Sequence, residues 1–265
     1  MTSKIIPGLS LASLRRILMA CRELNQIARI TSMDYGLLIE SVDTFNHTQL
    51  SCELKTINSS ANNDALQKQT FINLETTVEL CNLLNERKSC ILLEFDNNTN
   101  VHIKDPNLTD IDLIPSLEFM EEIEKQYISS NLQQNVNLVS LLVADITNIF
   151  RNLCLVSGIV NVKLNSNGLL VFKNSCRVGN LTVEKQLKGF QTKQKSIELV
   201  DLNIIVKFVK VLIAVAGFSI ASSCKKCTLE LPSTQQTTQD QKRYLKIHFT
   251  MCSDVVGYFA LAAVF

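Results

Sequence analysis

A helical pattern that runs into a strand-like one is written twice in this chain, in register, and such a duplication constrains the fold more than any single motif. In the first copy Leu11, Leu14, Leu18 and Cys21 lead into Ile27-Ala28-Arg29-Ile30, then Asp34-Tyr35-Gly36, then Leu37-Leu38-Ile39. In the second, Val143, Ile146, Phe150 and Leu153 lead into Ile159-Val160-Asn161-Val162, then Asn165-Ser166-Asn167-Gly168, then Leu169-Leu170-Val171. The step is constant, since 159 − 27 = 132 and 168 − 36 = 132. A looser echo follows each copy, Phe71-Ile72-Asn73-Leu74 before Val78 and Cys81, and Ile197 to Leu202 before Val206, Val209 and Ile213.

Two similar domains of about 130 residues follow from that repeat. The boundaries read as 1–116 and 135–265, with the polar, acid-rich stretch 117–134 as connector. In the first half Ser10 is placed to cap a helix that ends near Asn25. Leu11, Leu14, Ile17, Leu18, Cys21 and Leu24 share one side of it, and Arg15, Arg16, Arg22 and Glu23 the other. Strands are expected at 26–33, 36–42 and 47–56, the last with the period-two alternation Leu50-Ser51-Cys52-Glu53-Leu54. A strand near Phe71, a helix from Glu75 to Glu86 and strands at 90–95, 101–104 and 111–114 complete the half. The second half repeats the order and closes with strands at 244–251 and 255–260. Its last helix is read across Leu202, Ile205, Val206, Phe208, Val209, Leu212 and Ile213, leaving a narrow stripe of Asn203, Lys207, Lys210 and Ala214. The corresponding stripe of the preceding helix holds Asn148 and Arg151, and that of the helix from Glu75 holds Glu79 and Asn82.

Hydrophobic residues make up 46% of the 265, enough for a core in each half. Twenty-six basic against 25 acidic residues leave a charge of +1, which excludes a grossly basic nucleic-acid binder but not one whose positive charge is local. The first residues lack the apolar core of a secretory signal, so the expectation is an intracellular chain. Nine cysteines, an odd number scattered through apolar patterns, fit buried thiols better than a disulfide framework. The longest apolar run, Val211 to Ala221, is too short for a bilayer and reads as a helix end passing into a strand at Gly217.

Signatures of catalysis are missing from the sequence: no Gly-rich phosphate loop, no GxSxG elbow, no HExxH. The expectation is a protein that is not an enzyme and carries no cofactor. Cys224-Lys225-Lys226-Cys227 followed by His248 and Cys252 has spacing that four tetrahedral zinc ligands could use. Buried or edge thiols are the simpler reading, and no metal is expected, with a zinc-dependent binding module kept as the alternative from another class.

Tandem strand-helix-strand units, two per domain in two domains, resemble the eukaryotic DNA sliding clamps, the fold of the proliferating-cell nuclear antigen. The supporting residues are Asp34-Tyr35-Gly36 and its twin Asn167-Gly168, Val200-Asp201-Leu202 as a helix entry, and the closing Gly257-Tyr258-Phe259-Ala260. Ile111-Asp112-Leu113-Ile114-Pro115 before an acidic segment is most similar to the HUS subunit of the heterotrimeric nine-one-one checkpoint clamp. The resemblance implies an α+β fold, two clamp domains each with two helices packed on antiparallel sheets, in a crescent-shaped ring subunit. It implies duplex DNA in the channel, contacted by Arg15, Arg16, Arg22, Arg151, Lys207 and Lys210. It implies subunit interfaces at Ile111 and Leu113 on one edge and at Val178, Leu181, Thr182 and Val183 on the other. Partners would be two other clamp-fold subunits, a clamp loader, and repair or signalling proteins in the nucleus, with no membrane. A homotrimeric replication clamp is the alternative, although Ala260 to Phe265 lacks the Ala-Pro-basic ending typical of replication clamps.

Overall fold

In a computed structural model of the protein, which describes residues 2–6, 11–33, 36–45, 47–55, 57–58, 69–83, 91–95, 101–104, 136–154, 158–176, 179–190, 198–206, 209–221, 224–233, 243–252 and 255–264, the repeated pattern becomes a repeated sheet. Chain order is β1 (Thr2–Ile6), α1 (Leu11–Arg22), β2 (Ile27–Met33), β3 (Gly36–Val42), β4 (Thr48–Lys55), β5 (Ile57–Asn58), β6 (Gln69–Asn73), α2 (Leu74–Leu83), β7 (Ile91–Phe95) and β8 (Val101–Lys104). Then come β9 (Val136–Leu142), α3 (Val143–Cys154), β10 (Ile159–Asn165), β11 (Leu169–Cys176), β12 (Gly179–Gln186), β13 (Glu198–Ile205), α4 (Val209–Ala221), β14 (Lys226–Pro232), β15 (Tyr244–Cys252) and β16 (Val255–Val264). The fold is thus mixed helix and mostly antiparallel strand. It divides into two compact units, Met1–Thr44 with Leu50–Gln126 and Thr250–Gly257, and Phe45–Gln49 with Tyr127–Phe249 and Tyr258–Phe265.

Strand order repeats as the sequence does: β4-β3-β2-β6 first, β12-β11-β10-β13 second. Register repeats too, for Ile27 pairs with Asn73 and Ile159 with Ile205. Even single backbone bonds recur. The Leu74 amide donates to the Gln26 carbonyl at 2.8 Å, and the Val206 amide to the Gly158 carbonyl at 2.7 Å. Each first helix also ends against a side chain from the same strand of its ladder: Ser41 Oγ donates to the Cys21 carbonyl at 3.1 Å, and Asn174 Nδ2 to the Leu153 carbonyl at 2.9 Å. Both carbonyls lie in the last turn of their helix, where acceptors lack an intrahelical amide and take donors from turns and side chains.

The two repeated glycines serve different needs. Met33 pairs directly with Gly36, and a Cβ on Gly36 would collide with the Leu54 carbonyl, so this glycine allows a close strand approach. Gly168 sits in the turn instead, at φ +79, with its amide donating to the Asn165 carbonyl at 2.9 Å. That left-handed position suits a three-residue hairpin loop and is strained for any side chain.

In the first unit Leu14, Leu18, Cys21, Ala28, Ile30, Leu37 and Ile39 are buried between helix and sheet, and α1 packs on α2. In the second, Ile146, Phe150, Leu153, Val160, Val162, Phe172 and Ile204 do the same, with Phe150 and Phe172 edge to face at 6.0 Å and α3 packed on α4. Each fully buried Leu, Ile or Phe contributes about 1.5–3 kcal/mol, so these paired faces hold the helices in place.

Several element boundaries need correction. Helix α1 ends at Arg22, not near Asn25, because Leu24 and Asn25 return their amides to the Cys21 carbonyl in a closing turn. Helix α2 starts at Leu74 because Asn73 caps it, its Oδ1 accepting from the Thr76 amide at 3.1 Å. The larger correction is at α4. Leu202, Asn203 and Ile205 belong to β13, and Val200-Asp201-Leu202 is not a helix entry. Val200, Leu202 and Ile204 are buried on one face of β13 and Asn203 is exposed on the other, a period of two that the apolar Ile205, Phe208 and Val209 concealed in the sequence. Gly217 lies inside α4, which continues to Ala221 rather than turning into a strand. Among the described residues no helix is long and apolar enough to cross a membrane.

Candidate functional site

The outer faces of the helices follow from their wheels. On α1 Arg16 and Arg22 are exposed and Arg15 half-buried, opposite the buried Leu14, Ile17, Leu18 and Cys21. Arg22 also stands in the last turn, where a cation complements the helix dipole. On α3 Asn148 and Arg151 are exposed. Helix α2 exposes Glu75, Glu79 and Asn82, an acidic stripe. In α4 Ala214 and Gly217 are exposed, and Lys210 lies in the first turn, although its side chain is outside the described residues. Lys207 lies outside them altogether, and Asn203 leaves the stripe because it is in β13.

Strand β12 ends its ladder, pairing with β11 on one side, and among the described strands no other partner follows it. Leu181, Thr182 and Val183 all fall on it, while Val178, Ile111 and Leu113 lie outside the described residues. Its alternation is strict: Asn180, Thr182, Glu184 and Gln186 are exposed, Leu181, Val183 and Lys185 half-buried. Backbone direction can be derived from one bond. The Leu187 amide donates to the Gly168 carbonyl at 2.9 Å, so in an unbroken antiparallel ladder residues 185, 183 and 181 also point their amides at β11. The amides of Thr182, Glu184 and Gln186 therefore point out from the free edge. Lys185 ties this strand to the first turn of α3, its Nζ 2.6 Å from Asp145 Oδ2.

A second constellation was not read from the sequence. The β14–β15 register places Glu230 opposite Lys246 and Thr228 opposite His248, all on one face, with Cys227, Leu229, Ile247 and Phe249 on the other. Glu230 and Lys246 side chains are each only 1% exposed, with Lys246 Nζ 3.8 Å from Glu230 Oε1. His248 Nε2 is 2.8 Å from Glu230 Oε2, and this side chain is 38% exposed. Tyr258 lies against both bases: the Lys246 ammonium is 5.4 Å from its ring centroid and the His248 ring 5.8 Å away. Gln49 Nε2 donates to the Tyr258 hydroxyl at 3.2 Å. Burial pulls the Lys246 pKa down, with the Glu230 carboxylate opposing. The available signal was the period-two alternation of Lys246 and His248 with the apolar Leu245, Ile247 and Phe249.

The same register bears on the zinc spacing, because Cys227 and His248 point to opposite faces of one ladder and cannot converge on one ion without a break in it. Burial, with Asp145 next, also pushes the Cys227 thiol up to about 12, away from the thiolate that binds metal. Cys224 is half-exposed, and the Cys252 side chain lies outside the described residues. Among the described residues no three His, Cys, Asp or Glu side chains converge as metal ligands. Cys21, Cys52 and Cys81 are buried and free, in keeping with a reduced core.

No protein-family model matches the chain, and no curated protein matches it.

Proposed function

We propose that the chain is one subunit of a heterotrimeric ring that encircles duplex DNA and serves as a scaffold for damage-checkpoint and repair proteins in the nucleus, without catalysing a reaction. The observation that carries this reading is the doubled ladder, β4-β3-β2-β6 and β12-β11-β10-β13, each backed by a helix pair. Two further features support it. Exposed arginines on α1 and α3 suit phosphates, which are met by charge without reading bases. The outward amides of β12 suit pairing with a strand of another chain.

A heterotrimer is favoured over three copies because α2 turns Glu75 and Glu79 outward and the whole chain carries only +1. A ring of identical copies would repeat that acidic stripe around its DNA, so more basic neighbours are needed to attract phosphates. The test is native mass at micromolar concentration. The purified chain is expected to run as a monomer and to enter a one-to-one-to-one assembly with two other clamp-fold chains. A stable homotrimer formed without partners would overturn the heterotrimer and favour the replication clamp.

A further inference from the structure

The cluster of Glu230, Lys246, His248 and Tyr258 has no part in holding DNA or pairing edges. It is closed to water except at one titratable ring, for Glu230 and Lys246 are buried and only His248 reaches solvent. With His248 neutral, its Nε2–H donates to Glu230 Oε2, and the carboxylate and the Lys246 ammonium cancel. A proton from water arriving at Nδ1 makes an imidazolium, so two cations share one carboxylate and the enclosed cluster gains a net positive charge. The imidazolium is the nearer claimant, at 2.8 Å against 3.8 Å for Lys246.

We infer that His248 is the proton port of a latch: protonation draws the Glu230 carboxylate away from Lys246, loosens that ammonium from the Tyr258 ring, and slackens the hold on the C-terminal strand β16. Tyr258 is the fastening point of that strand, gripped by Gln49 through its hydroxyl and packed on Ala260 and Tyr244. The ammonium over its ring is worth more in a desolvated site than at a surface, which is why its displacement is felt. Among the described residues on the strands beside it, His248 is the titratable ring in direct contact with Glu230. Strand β14 adds only the exposed Lys226 on this face, β15 adds Tyr244, and β9 places the uncharged Leu138 and Ser140 opposite Glu230 and Thr228. Residues 45–49 bring Gln49 and His47, whose ring stacks on Phe45 at 6.1 Å.

The chain has four tyrosines and no tryptophan, and two of the four, Tyr244 and Tyr258, pack together in this cluster, so tyrosine emission senses the site and Tyr258→Phe isolates its share. Imidazole is the side chain whose charge changes between about pH 5 and 8. Between about pH 8 and 5.5 the full-length protein should show one reversible emission step, with protection of the Phe259, Ala260 and Leu261 amides against hydrogen exchange falling about tenfold. His248→Gln keeps an N–H for Glu230 but takes no proton, and should be flat in both readouts. His47→Gln should keep both, and Tyr258→Phe should lose most of the emission step while keeping the fall in protection. A wild-type chain with no step, or a His248→Gln chain that keeps it, would overturn the latch. If His248→Gln fails to fold, the wild-type His248 ring resonance decides. One midpoint shared with the Phe259–Leu261 amides supports the latch, and different midpoints overturn it.

Discussion

Arg29 and Glu40 face each other across β2 and β3, with Arg29 Nε 2.9 Å from Glu40 Oε2 and Ser51 Oγ 3.5 Å from Oε1. The carboxylate is 2% exposed, so its charge needs compensating partners such as these. Burial pushes the Glu40 carboxyl up from its ordinary 4.5, and the Arg29 guanidinium and then Ser51 pull it back. A carboxyl raised on folding binds its proton more tightly in the native state. Its contribution to stability is therefore greatest at acid pH and fades as pH rises through and beyond the ordinary carboxyl range. Arg29→Met removes the compensation and leaves a buried anion, a loss of about 3–5 kcal/mol at pH 7.5. Urea unfolding at pH 7.5 and pH 5 checks this, because protonation of Glu40 should shrink the loss at the lower pH. An equal loss at both would show that the arginine acts by packing alone.

At the free edge, direction of the amides separates two neighbouring positions. Thr182 points its N–H out and Leu181 points its N–H at β11, where it faces Asn174. Thr182→Pro is then expected to leave a folded monomer that no longer enters the ring, since proline is tolerated where the missing donor faced solvent. Leu181→Pro removes a ladder bond inside the unit and is expected to lower the melting temperature of the monomer. Native mass and thermal unfolding of both variants decide it, and assembly by Thr182→Pro would contradict the edge assignment. The sequence made Leu181, Thr182 and Val183 visible as one strand, yet not which of them faces outward. That depends on the hairpin loop, where Gly168 adds a turn residue that Gly36 does not. Periodicity located α1 and α3 because each has a polar face, and it misplaced the start of α4 because Asn203, Lys207 and Lys210 fall at helical spacing although Asn203 belongs to β13. The Glu230–Lys246 pair escaped notice because a strand position gives no sign of burial when both faces are covered.

For the whole molecule, the duplication was legible because a step of 132 runs through core positions that must all match at once, from Leu18 and Phe150 to Ile72 and Ile204. What two such ladders do together was not legible in that way, because the proposed ring would close only with partner chains. Topology on DNA tests it most directly. The proposed assembly of this chain with two other clamp-fold chains is loaded onto closed circular duplex, washed at high salt to screen phosphate contacts, and then cut once with a restriction enzyme. A ring that encircles DNA stays on the closed circle through the wash and is released by the single cut. Loss from circle and linear duplex alike at high salt, or equal retention on both, would contradict encirclement.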